Sequence, residues 1–186
     1  MATFDARHED KARMEITIRH YRPDDRDGVN RVALAAFAQY ARDYDDWAGF
    51  SAGIKRMADL ALDADLLVAE SGGALVGAVV HVGPGKPRGA MYPNGWSVIR
   101  MLVVDPAWRG RGVGRRLVAA CLQCALDARA PVVGLHTSPI MASALRLYLA
   151  IGFERDMELP PNRGVEYARY VLPGSEVRTA IAALNV

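Results

Sequence analysis

Six consecutive residues, Arg109-Gly110-Arg111-Gly112-Val113-Gly114, set three alternating glycines among arginines at the start of an amphipathic stretch, with Arg115 next in line. That combination can hold an anion. The first amides of a helix have no partner inside it, and the aligned peptide dipoles leave partial positive charge there. Glycines remove the Cβ atoms that would keep a phosphate at a distance, so backbone N–H groups can reach it. The chemistry is that of a phosphate or pyrophosphate cradle made chiefly of backbone.

A cradle of this kind needs a strand before it and a helix after it. Val98 to Val104 is a short, β-branched apolar run that stops at Asp105-Pro106, which reads as a buried strand ended by a residue with no N–H. After the glycines, Val113, Leu117, Cys121, Cys124, Ala125 and Ala128 recur at spacings of three and four and form one helical face. The rest of the chain supplies the frame. A strand runs from Ile16 to about Tyr21. A helix starts at Pro23, capped by Asp24 or Asp25, with Val29, Val32, Ala33, Ala36, Phe37 and Tyr40 as its buried stripe. A second helix is predicted over Phe50 to Leu62. Strands over Leu66–Glu70 and Ala74–Val82 are joined by a Ser71-Gly72-Gly73 turn, and a long loop covers Gly83 to Gly95. A strand over Val132–His136, a helix over Met141–Ile151 ended by Gly152, a short strand from Phe153-Glu154 and another over Val165–Leu172 complete the pattern. Thr179–Leu184 can form a terminal helical turn. This order defines an α/β (α+β) fold: a mixed sheet of about seven strands flanked by helices.

The P-loop signature ends in Gly-Lys-Ser/Thr, which is missing here, and an arginine stands where the dinucleotide fingerprint needs its third glycine. The stretch resembles instead the Arg/Gln-x-x-Gly-x-Gly/Ala signature of the GNAT superfamily of N-acetyltransferases, following a strand that ends Val104-Asp105-Pro106. A second block, Ala144-Leu145-Arg146-Leu147-Tyr148-Leu149-Ala150-Ile151-Gly152-Phe153, is similar to that family's Ala-x-x-Leu-Tyr-x-x-x-Gly-Phe. The resemblance covers roughly residues 15–172 and implies a sheet splayed between its fourth and fifth strands. It implies acetyl-CoA as co-substrate, with Leu102, Val103 and Val104 pairing with the pantetheine arm like an added strand. The diphosphate would lie on residues 109–114, with Arg115 beside it. It further implies acetyl transfer to a primary amine, of a small molecule or a peptide, by direct attack in a ternary complex. Tyr148 would be the acid, and a backbone amide near Val104 the oxyanion donor. Many relatives carry a glutamate base on the strand before the glycine loop. Here that strand has no carboxylate, and Arg100 is its one ionisable side chain. The base is therefore a water, Glu70, His81, His136 or a residue from elsewhere. A second departure is Met141, which stands where relatives often have an asparagine that hydrogen-bonds the cofactor. A nonenzymatic acyl-CoA-binding or sensing module is the alternative that the absent carboxylate suggests.

The acceptor is less legible. Tyr40, Asp43, Tyr44, Asp45, Asp46 and Trp47 gather carboxylates and aromatics between the first two helices, and Tyr92 to Trp96 fall in the long loop. In the fold this resembles, both lie over the acceptor end of the tunnel. Asp43, Tyr44, Asp46 and Trp96 are thus candidates for holding a cationic amine through charge and cation–π contacts. The bland alternative is a solvated turn with an aromatic or two packed inward.

Composition sets the outer bounds. The chain has 186 residues, enough for one full core, with 51% hydrophobic and 24% charged residues and a net charge of +2. The small net charge argues against a nucleic-acid partner despite the local arginines. There is no apolar run of membrane-spanning length and no signal-peptide core, so a cytoplasmic protein is expected. Cys121 and Cys124 are spaced as CxxC, but both fall mid-helix and no second pair exists to complete a metal site, so they read as small hydrophobes. No metal is expected. A homodimer is compatible with the sequence. Residues 1–13 read as a flexible charged arm, with Met14 directly before the first strand, residues 14–172 as the catalytic domain and 173–186 as a C-terminal tail.

Overall fold

In the strands that follow the first helical region, burial is nearly continuous. Leu66 to Ala69 and Val76 to Val82 are buried in unbroken runs, which requires covered sheet on both faces. The computed structural model describes residues 15–185, and the arm read over 1–13 lies outside them. Its strands are β1 (Thr17–His20), β2 (Asp65–Ser71), β3 (Ala74–Val82), β4 (Ser97–Val104), β5 (Val132–Thr137), β6 (Glu154–Asn162) and β7 (Val165–Pro173). Its helices are α1 (Arg26–Phe37), α2 (Trp47–Ile54), α3 (Val113–Asp127), α4 (Ala142–Ala150) and α5 (Val177–Leu184). The seven strands form one mixed sheet in the order β1-β2-β3-β4-β5-β7-β6. On one face α3, α4 and α5 bury Leu117, Leu122, Leu135, Tyr148 and Phe153; on the other α1 and α2 bury Val29, Val32, Met57, Val68 and Val80.

Two features of β4 matter for function. It pairs antiparallel with β3 along most of its length but parallel with β5 only at Ser97↔Val133 and Val98↔Gly134. Beyond those pairs the two strands part and leave a wedge-shaped gap. Across the β3 side, Ala78 faces Val103 and Val80 faces Arg100, so β4 holds one extra residue there. Met101 absorbs it as a bulge, with φ of 53°. Met101 and Leu102 therefore have no register partner on either neighbouring strand.

The sequence pattern is corrected in three places. The second helix begins at Trp47, three residues early, because the Asp46 carboxylate accepts from Gly49 N at 2.8 Å and caps it. It ends at Ile54, and a separate 3₁₀ segment covers Met57–Leu62. The strand after Phe153 has nine residues, not a few. β6 is a sheet edge with almost every residue exposed, so no apolar alternation marks it. The tail read from residue 173 contains α5, whose Val177, Ala180 and Leu184 are buried in the same core as α3. It packs as part of the domain rather than trailing from it.

Candidate active site

The cradle is built by conformation. Gly110 and Gly112 have φ of 75° and 78°, which side-chain-bearing residues rarely adopt, and a Cβ at either would meet nothing within 4 Å. The space in front of the loop is open, as an anion site needs. Gly112 stands at the N-cap of α3 with no side-chain cap on the helix's first amides. The arginines mostly serve the scaffold. Arg109 donates to Gln39 Oε1 at 3.1 Å and Ala36 O at 3.0 Å, tying the loop to α1. Arg111 lies over the Trp108 ring at 5.0 Å. Arg115 donates to Ala183 O and Leu184 O at the end of α5, and Arg116 to Ile16 O.

From the cradle a groove leads into the gap. One cavity of about 410 Å³ is lined by Gly110, Gly112, Gly114, Val104 and Leu102, with Arg109, Val113 and Arg115 also on its wall. A second, about 370 Å³, is lined by Arg100, His136, Tyr148 and Tyr167 among apolar side chains. The two share Phe37, Leu102, Met141 and Ala144, so they adjoin. Of Leu102, Val103 and Val104, Val103 alone lines neither cavity: its side chain packs into the α1–α2 core.

Tyr148 is buried against the Phe153 ring, 5.6 Å away edge to face, and lines the inner cavity. Its hydroxyl has no hydrogen-bond partner among the described residues. Burial pushes the phenol's pKa up, so it stays protonated.

Of the three named side chains weighed as bases, one lines the cavity. Glu70 is held by Arg19, which also grips Asp25. His81 is buried and uses both ring nitrogens, Nδ1 with Asp65 Oδ2 and Nε2 with Ser97 Oγ, each at 3.0 Å. His136 lines the gap, and its Nδ1 lies 2.9 Å from Tyr92 Oη. Burial, then the nearby Arg100 charge, lowers its pKa below the ordinary 6.5. The tautomer that donates from Nδ1 to Tyr92 leaves the Nε2 lone pair free.

The acidic turn has a different use from the one its composition suggests. None of Asp43, Asp45 and Asp46 lines either cavity. Asp46 caps α2 and pairs with Arg163 Nε at 3.0 Å, while Asp45 N donates to Arg163 O at 3.0 Å. Tyr44 is buried, stacks on Phe50 at 3.9 Å and shares a hydrogen bond with the Tyr167 hydroxyl. The turn therefore straps the β6–β7 hairpin to α2, and Asp43 stays exposed at the surface. Trp96 sits under the Arg169 guanidinium at 5.1 Å, outside the cavity lining. Sequence reasoning set the Tyr92 to Trp96 loop near the acceptor but missed the link from Tyr92 to His136, which spans 44 positions. It also left Arg100 unassigned, although a lone charge in an apolar strand was a signal.

The comparisons agree with this geometry. Residues 32–153 match the model of the Acetyltransferase (GNAT) family, and the chain belongs to that family. It is 39% identical over 87 residues to the N-alpha-acetyltransferase RimI of Mycobacterium tuberculosis, a match covering 47% of this chain and 50% of that protein. The chain thus spans about half the length, or less, of such curated relatives. Among solved structures, the ribosomal-protein-S18-alanine N-acetyltransferase of Escherichia coli superposes with a TM-score of 0.65 at 15% identity, over 86% of this chain and 94% of that one. A putative acetyltransferase of Salmonella typhimurium, solved with its cofactor acetyl-CoA, gives 0.63 at 19% identity over the same shares. These likenesses establish the fold. Among the described residues no helix is long and apolar enough to cross a membrane, and no cluster of three or more acidic, histidine or cysteine side chains could hold a metal.

The cradle gives a direct test. Gly112→Val would place a branched side chain at a φ of 78° and fill the open space before the helix amides. CoA affinity is expected to fall at least tenfold, about 1.4 kcal/mol, in calorimetric titration. An unchanged affinity would remove the loop from the binding site.

Proposed function

We propose that this protein transfers the acetyl group of acetyl-CoA to a primary amine, by direct attack with both substrates bound. One observation carries this: the groove runs from an open backbone cradle into a gap whose walls hold a free phenol, Tyr148, and an imidazole, His136. The residues fit the co-substrate. Amides of 110–114 meet a diphosphate, and the gap between β4 and β5 admits a thin extended arm beside Leu102 and Val104. The bulge at Met101 takes backbone groups of β4 out of the ladder, which makes them available to a ligand.

Acetyl-CoA supplies the thioester: the new C–N bond forms as the C–S bond breaks. His136 Nε2 takes the proton the amine loses. Tyr148 donates to the sulfur as negative charge builds there. The proton lost by a neutral amine balances the one gained by sulfur, so amine and thioester yield amide and thiol. His136 replaces in role the glutamate that β4 lacks, and this weakens the acyl-CoA sensor alternative. Arg100 beside the gap opposes a second positive charge, which favours the amine over the ammonium at the reacting position. Relatives named for protein N-terminal acetylation keep peptide amines among the acceptors, together with small-molecule amines.

The test is release of free thiol from acetyl-CoA on addition of small amines, amino acids and peptide N-termini, with the acetylated product identified by mass. CoA binding without product from any of them would favour the sensor.

A further inference from the structure

The inner cavity is apolar except at a few points, and its one charged side chain is cationic. Phe37, Phe50, Ile54 and Met91 line it, and no carboxylate does. Arg100 is half-buried on this wall. Val98, two residues before it on β4, packs with α1 and α2, so Arg100 faces the same side of the sheet, the side that also carries Tyr92. Arg100 makes no ion pair or hydrogen bond among the described residues. Elsewhere the chain pairs its partly buried arginines with care: Arg19 holds Asp25 and Glu70, and Arg169 holds Asp156. An unpaired guanidinium in an apolar pocket is costly to keep. Its planar fork of donors matches a carboxylate.

We propose that Arg100 binds a carboxylate of the acceptor, so that the preferred substrates are amines that carry a carboxylate close to the amino group. This rests on the acetyl-transfer reading and adds the acceptor's class to it. The amine would approach His136 while the carboxylate lies on Arg100, and the remainder of the acceptor packs on Phe37, Phe50 and Met91. Two sources present this chemistry. A free α-amino acid does so through its own carboxyl group, and a peptide N-terminus does so through an acidic side chain. The acidic turn cannot serve a cationic acceptor in the same place, since its carboxylates face Arg163 and solvent.

The experiment compares kcat/KM for free amino acids with apolar side chains, their carboxamides, and tripeptides beginning with aspartate, glutamate, asparagine or glutamine. The expected result is at least a thirtyfold preference for the carboxylate over its matched amide, in either the amino-acid arm or the peptide arm. The arm that shows it names the source. Arg100→Gln is expected to collapse that preference to within threefold, and Arg100→Lys to retain part of it, with the KM for acetyl-CoA unmoved in both. Amides acetylated as well as acids by the parent enzyme, or a preference that survives Arg100→Gln, would overturn the assignment while leaving acetyl transfer intact. Tight CoA binding with no acetylation of any member would overturn acetyl transfer and this acceptor class together.

Discussion

Tyr148→Phe is expected to lower kcat about 100-fold, equivalent to ~2.7 kcal/mol of barrier, with CoA affinity and thermal stability close to the parent's. The asymmetry follows from how the side chain is placed. Its ring packs on Phe153 and stays in the variant, whereas its hydroxyl faces the gap and supports nothing else among the described residues. Burial opposes formation of a tyrosinate, so the phenol is available in its protonated form across the working pH range. On the proposed mechanism its contribution is made as charge develops on sulfur, which places the loss in kcat rather than KM. Steady-state thiol release and calorimetry on the same preparation check this. A kcat within twofold of the parent would take Tyr148 out of the mechanism.

His136→Gln is the second large effect, again about 100-fold in kcat, and it comes with a change in pH dependence. On the proposed mechanism the neutral imidazole is the working form in the parent. Protonation removes the base, so kcat falls as pH drops through the His136 pKa. Burial and the Arg100 charge move that pKa below 6.5, so the acidic limb should lie lower than an ordinary histidine would place it. Glutamine can still hydrogen-bond Tyr92 but cannot accept the amine's proton at Nε2, so the limb should vanish along with the rate. An acidic limb unchanged in His136→Gln would assign the base to another group.

How much of this was legible depended on whether the signal was local. The cradle, β3, β4 and α3 announce themselves through glycine spacing and strong apolar periods, and the structure keeps them within a residue or so of the pattern. The acidic turn misled because composition says what charges are present and nothing about what they face. Arg163, which Asp46 binds, lies 117 positions away. The bulge at Met101 had no sequence mark, since methionine is not a residue that favours positive φ. His136 was visible as a titratable group, but its selection over His81 needed both partners of each ring. One histidine has its two nitrogens occupied, and the other has one recorded partner and an open side.

The ends of the sheet carry a consequence for how copies of this chain behave in concentrated solution. A strand with a bare edge is a template on which another molecule can add a strand, and a seven-stranded sheet offers two such edges. Here one edge, β1, is only four residues long. The other, β6, reads Glu-Arg-Asp-Met-Glu-Leu-Pro-Pro-Asn: four of its first five positions are charged, and Pro160 and Pro161 lack the N–H that a continuing ladder requires. Its register against β7 is also broken twice, which bends the outer strand away from the flat geometry that stacking favours. The same irregularity that hid β6 from the hydrophobic pattern therefore protects the molecule against edge-to-edge aggregation.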